Sequence, residues 1–191
     1  SNPTRRPSSD TTDSTTAMSK RALGSSGAKR LVYVDHNHLV APAGQNLAHL
    51  TLPTTQHHTP SSNTAHAFTT LAPAHSPHGV SMLAASHAAH VLAYTEHVLR
   101  PPIRLVSAQA LAAPASLAAS PLAVLDDASS PLGYTALAFS ADGERLAAAS
   151  RSDSPRLLVW LWRSGVLLHE AALASPLLEV AFSPADPTLL C

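Results

Sequence analysis

A six-residue phrase comes round twice in this chain. Ala138-Phe139-Ser140-Ala141-Asp142-Gly143 returns as Ala181-Phe182-Ser183-Pro184-Ala185-Asp186, 43 residues later. Four short apolar runs separated by turn residues lie between the two. A repeating unit of short strands leaves one face uncovered, so it has to stack on a neighbour to bury a core.

The unit is clearest from Tyr134 to Ala171. Tyr134–Ser140 alternates small or apolar residues with others, and Ala141-Asp142-Gly143 is a tight turn of the kind that joins antiparallel strands. Arg145–Ser150 returns, Ser152-Asp153-Ser154-Pro155 is a loop, and Arg156–Trp162 is a third strand. Arg163-Ser164-Gly165 turns the chain into Val166–Ala171. Leu177–Phe182 opens a further unit, with Thr188–Cys191 as its second strand. An earlier unit, Val80–Val106, aligns without gaps on Tyr134–Trp160, setting Ser86 on Ser140 and Leu92 on Leu146. Leu31–Val34, His38–Ala41 and Leu47–Leu52 make a degenerate first one. A period of about 40–45 residues with four strands per unit is that of a β-propeller blade.

The fold class expected is therefore all-β, with propeller blades from residue 30 to residue 191 at about 31–75, 79–125, 133–172 and, incomplete, 176–191. Blades in that number leave the ring open. Residues 1–29 hold almost no large apolar side chains and read as a disordered polar tail. Pro53–His66 reads as a polar loop. The Ala/Pro/Ser stretch 108–132 reads as an inter-blade insertion, its helical composition interrupted by Pro114, Pro121 and Pro131.

The phrase at 138–147, followed by Leu157-Leu158-Val159-Trp160-Leu161-Trp162-Arg163-Ser164-Gly165, resembles the second half of a WD repeat. The resemblance is closest over 133–191, looser over 79–106 and faint over 31–75. Two positions depart from it: the Trp-Asp dipeptide is Trp160-Leu161, and Gly-His appears as Gly133-Tyr134. In that family a Ser or Thr, an Asp, a His and a Trp form a buried network that ties a blade together. The resemblance implies such roles for Ser150, Asp153 and Trp160, with no residue here matching the His. With Asp142 and Gly143 of the turn and Trp162 of the core, these are the expected blade-structural residues.

Within the WD-repeat family the chain is most similar to the large cilia- and flagella-associated members. Val91–Val106 and Leu157–Leu168 carry that likeness. It implies a non-enzymatic protein-interaction scaffold in the axoneme of a cilium or flagellum, with axonemal or dynein-associated partners. Those proteins are far longer than 191 residues, and Met18 is the first methionine, so the sequence reads as an N-terminal fragment. Further propeller blades of a longer chain are then among its expected partners.

Charge and composition narrow the alternatives. Twelve basic side chains balance twelve acidic ones, which gives no footprint for nucleic acid. No apolar run approaches the ~20 residues that span a bilayer, so no membrane partner is expected. Cys191 is the single cysteine, which rules out an internal disulfide or Cys-based zinc site and fits a reducing, cytoplasmic setting. Aromatics make up 4% of the chain, so the core must be built of Ala, Leu and Val.

Twelve histidines raise a metal hypothesis, the alternative function being a His-dependent metal-binding enzyme or a small soluble adaptor. Asp35-His36-Asn37-His38 is the best local cluster, with His57, His58, His87 and His90 as further candidates, yet no spacing matches a known ligand set. The plainer reading is polar turn and loop histidines, so no metal or cofactor is assigned. Glu96-His97 and His169-Glu170 are sequence neighbours, which on a strand point to opposite faces and form no dyad. Nucleophile elbows and phosphate loops are absent, so no catalytic residue is assigned. Trp160 and Trp162 share a strand face and read as core. Arg145, Arg151, Arg156 and Arg163 read as a solvated edge unless folding aligns them. Residues 53–79 and 108–132 exceed the repeat and are the expected partner contacts.

Overall fold

The computed structural model describes residues 31–43, 46–52, 68–71, 78–112, 121–127 and 130–191. The segment expected to be disordered, most of the expected partner loop 53–79 and residues 113–120 and 128–129 of the other lie outside the described residues.

Among the described residues, twelve strands form three four-stranded antiparallel sheets, each an uninterrupted meander. The first holds β1 (Val32–Tyr33), β2 (His38–Ala43), β3 (Asn46–Thr51) and β4 (Phe68–Leu71). The second holds β5 (Val80–Ser86), β6 (Val91–Glu96), β7 (Ile103–Ser107) and β8 (Ala123–Leu125). The third holds β9 (Tyr134–Phe139), β10 (Arg145–Ser150), β11 (Arg156–Leu161) and β12 (Val166–Ala172). Short turns return the chain beside the strand it has just left at most of these steps, while β3–β4 and β7–β8 are joined by the longer connections 52–67 and 108–122.

Two elements differ from the sequence reading. The stretch 108–132 is not wholly an insertion, because Ala123–Leu125 pairs with Ile103–Leu105 as the outer strand of the second sheet. A three-residue strand between prolines carries too short an alternation to stand out. The same stretch begins with a single helical turn, α1 (Ala108–Ala112), whose Ala108 and Leu111 pack into the core. At the far end, 177–191 forms a hairpin closed by one bridge, Phe182 with Leu190, rather than by two full strands.

Period-two alternation sends each sheet's apolar side chains both ways. Leu146 and Ala148 of β10 join Trp160, Trp162 and Tyr134 against Ala93, Ile103 and Leu105 of the second sheet. Ala147 and Ala149 turn the other way, onto Val180 and Phe182 of the terminal hairpin. Val40 and Leu47 of the first sheet meet Leu83, Leu92 and Tyr94 of the second. Each sheet thus packs face to face on the next in sequence, the stacking of propeller blades. Ala147, Ala148 and Ala149 are all 0% exposed, so a run of methyl groups lets the faces close on both sides.

The seam between the second and third sheets closes on Gly143. Its φ is +73°, and a Cβ placed there would lie 2.6 Å from Ser86 Oγ and 2.9 Å from both the Cβ and the backbone nitrogen of Ala89. The β9–β10 turn therefore sits directly on the β5–β6 turn. The Trp162 indole reaches back to the same residue and donates to the Gly143 carbonyl at 2.7 Å. Gly165 has nearly the same φ, +70°, but open space around it. Gly165→Ala should accordingly cost about 1–2 kcal/mol of backbone strain. Gly143→Ala adds overpacking against backbone and should cost about 2–4 kcal/mol. Urea unfolding of the two variants measures the difference, and equal costs would show that the seam yields freely at Gly143.

Candidate interaction surface

The repeated phrase is a piece of turn chemistry. The Ser140 hydroxyl donates to Asp142 Oδ1 at 2.5 Å and accepts the Arg145 amide at 2.9 Å. Its side-chain bond from Ser140, and then the Glu144 amide, hold the Asp142 carboxyl below the usual carboxylate range. In the second copy, Ser183 Oγ accepts the amides of Ala185 and Asp186, and Asp186 Oδ1 accepts both the hydroxyl and the amide of Thr188. Ser86 does the same work for the β5–β6 turn by accepting the Ala89 amide at 3.1 Å. Arg145 bridges the two copies, donating from Nη1 to the Pro187 carbonyl at 2.9 Å.

The other expected structural residues separate. Ser150 is fully buried and its hydroxyl accepts the Arg156 amide at 2.8 Å, bracing the ends of β10 and β11. Trp160 and Trp162 are buried together in the seam, with Phe139 edge-on to Trp162 at 6.5 Å. Asp153 stands exposed on the loop between β10 and β11, turned to solvent rather than into the sheet. The four arginines do not align. Arg145 is engaged with Pro187, Arg156 pairs with Glu170, and the Arg163 guanidinium lies 4.5 Å from the centre of the Trp162 ring. Arg151 alone of the four has no ion-pair or ring partner among the described residues.

Histidines gather where the first sheet meets the second. His38 Nδ1 lies 2.7 Å from His49 Nε2, with the rings stacked at 4.9 Å, and Asp35 Oδ2 is 4.0 Å from the far nitrogen of His38. His36 faces His87 across the seam at 6.2 Å between ring centres. His49 was not among the candidates read from sequence. Its signal is positional: it sits on the buried side of β3, diagonal to His38 across the β2–β3 pairing. Among the described residues no three His, Cys, Asp or Glu side chains come together to hold a metal ion. His57 and His58 lie outside the described residues.

A hollow with a volume of about 860 Å³ lies at one end of the seam between the second and third sheets. Val98 and Leu99 of the β6–β7 loop, Leu132 before β9, and Leu178 border it, with Tyr134 and Arg151. Eleven large apolar side chains stand exposed among the described residues, and four of them border this one groove. Its loops are braced to one another through the backbone. The His97 amide donates to the Gly79 carbonyl at 2.9 Å, Arg100 to Pro131 at 3.0 Å, and Arg151 to Gly133 at 2.6 Å. Gly133 itself packs on Pro101. Arg100 has a φ of +51°, a left-handed conformation that costs a non-glycine residue strain and is held by these bonds. Sequence reasoning passed over the groove because Val98-Leu99 and Leu132 lie beside strands. The available signal was apolar residues at turn positions, next to Arg100-Pro101-Pro102 and Pro131.

No family model matches the chain, and no curated protein matches it. Among solved structures, it is similar to a chain in the crystal structure of a mitotic checkpoint complex. The TM-score is 0.57 at 18% identity, over 87% of this chain and 44% of that one. This chain thus spans less than half the length of its structural neighbour, and likeness at that identity shows the fold alone. The fold is all-β, made of four-stranded blades stacked as in a β-propeller. Among the described residues no helix is long and apolar enough to cross a membrane.

Burial, and then the neighbouring His38, hold the His49 imidazole below its ordinary pKa of 6.5, with Asp35 opposing. The folded chain therefore binds its His49 proton less readily than the unfolded chain. The stabilisation is complete above pH 6.5 and is lost as pH falls below that value. Between pH 7.5 and about pH 5 the urea midpoint of the wild type should drop further than that of His49→Phe. Parallel pH profiles for the two would show that the His38–His49 pair carries no such linkage.

Proposed function

We propose that the chain acts as a non-enzymatic scaffold whose propeller blades hold loops in place for other proteins to grip. The observation that carries this reading is the backbone bracing of the loops at 97–101, 130–133 and 151, which fixes apolar side chains in solvent. Fixing a contact surface before binding lowers the ordering entropy that association must overcome. Soluble monomers rarely keep several exposed leucines and valines together without a use for them. The structural neighbour comes from a multi-protein complex, which fits the same reading.

The finer form of the proposal, a component of the ciliary or flagellar axoneme with a dynein-tethering role, rests on the sequence resemblance over 91–106 and 157–168. Two measurements test the levels separately. Tagged full-length chain purified from its source cells should carry stoichiometric protein partners, with cross-links that fall on the loops. A chain recovered alone under cross-linking overturns the scaffold reading. Immunoblots of cell-body, ciliary-membrane and axonemal fractions should place the protein with the axoneme. Confinement to the soluble cell body would remove the ciliary form and leave the scaffold standing.

A further inference from the structure

We propose that the groove between the second and third blades docks a short segment of a partner protein, one that carries a large apolar side chain beside a carboxylate. The proposal rests on the scaffold reading and names the class of partner segment for it.

Shape and placement argue for an apolar anchor. Leu99 is 81% exposed and Leu132 is 55% exposed, on two loops joined by the Arg100–Pro131 hydrogen bond. The left-handed turn at Arg100 and the packing of Gly133 on Pro101 keep these loops from folding their leucines inward. A cleft with such walls takes one bulky side chain, and central anchors of that kind dominate the energy of protein interfaces. The Tyr134 ring borders the same hollow. Its hydroxyl is buried beside that of Ser130, which donates to Asp127 at 2.7 Å.

Charge argues for the carboxylate. Arg151 lines the groove, and Arg100 is exposed next to Leu99 in the chain. Arg145, Arg156 and Arg163 are each engaged within the third blade and its hairpin, whereas Arg151 is left to solvent. Glu96 also lines the groove but is 4% exposed, so an incoming acid meets Arg151 at the exposed rim rather than a contact on the floor. An Arg beside an apolar cleft favours a partner group that accepts its parallel N–H donors, which a carboxylate does best.

The test uses the full chain and a library of fluorescent ten-residue peptides. Each has Leu or Phe at its centre and Asp or Glu within two residues of it. Matched controls carry Lys for the acid or Ser for the anchor. Members of the library should bind by anisotropy, and each control change should weaken binding about tenfold or more. Leu99→Ser should weaken every binder, and Arg151→Glu should reverse the preference for acid over Lys. Both side chains are exposed, and thermal unfolding checks that the variants keep the fold. Binders that ignore both substitutions place docking elsewhere and overturn the proposal, while leaving the scaffold reading intact. A library without binders also overturns it, and the partner purification then decides the scaffold reading separately. Wild-type chain that sediments as a dimer, with Leu99→Ser monomeric, identifies a second copy as the occupant and likewise overturns it.

Discussion

Gly143 is where the third blade takes its place. One residue gives its carbonyl to the Trp162 indole and its bare Cα face to the turn that carries Ser86 and Ala89. The first contact ties the β9–β10 turn to the end of β11 within the blade. The second sets that turn on the blade before it. A side chain at this point would have to displace backbone, and main chain held at both ends by strands does not give way as a flexible side chain would. The alignment of β5 with β9, the depth of the Trp160–Trp162 seam and the hollow at its other end all depend on this approach.

A core of Ala, Leu and Val supports that arrangement because it is thin. Three consecutive alanines in β10 face two seams with the smallest apolar side chain available. Little area is buried per residue, so each seam is individually modest. The blades compensate by bracing turns and loops with hydrogen bonds. Serine hydroxyls close the turns at Ser86, Ser140 and Ser183, and amide-to-carbonyl bonds join the loops. The rigidity needed for presenting a surface comes from this polar bracing more than from the bulk of the core.

The legibility of the sequence followed the same division. The strands Tyr134–Phe139, Arg145–Ser150, Arg156–Leu161 and Val166–Ala172 lie within a residue of where alternation and turn residues set them. Val80 and Val91 likewise begin β5 and β6. Short outer strands were harder. Phe68–Leu71 and Ala123–Leu125 hold four and three residues, too few to show a period, and both follow long polar or proline-broken stretches. Contacts between blades left almost no trace in the pattern. Nothing in a run of residues says that His49 meets His38, or that Gly143 rests on Ala89, because those pairs are set by register and stacking. Leu99 and Leu132 were visible as apolar residues at turns, but their convergence on one groove depends on two blades meeting.

What recurs along the chain is therefore chiefly turn chemistry, and this bears on how such a fold tolerates divergence. A serine before a tight turn, an aspartate or glycine within it and a return strand are demanded by hydrogen bonding and by φ. The sheet faces between ask for apolar volume alone, and small aliphatic side chains exchange there at little cost provided the total volume is kept. Identity can then fall to 18% over most of the chain while the blades persist. Selection for a partner acts on a different set of positions, the loops where Leu99, Leu132 and Arg151 stand. Those side chains make no seam and close no turn, so the fold is indifferent to them. Their gathering on one braced groove is what the architecture leaves free to be specified by function.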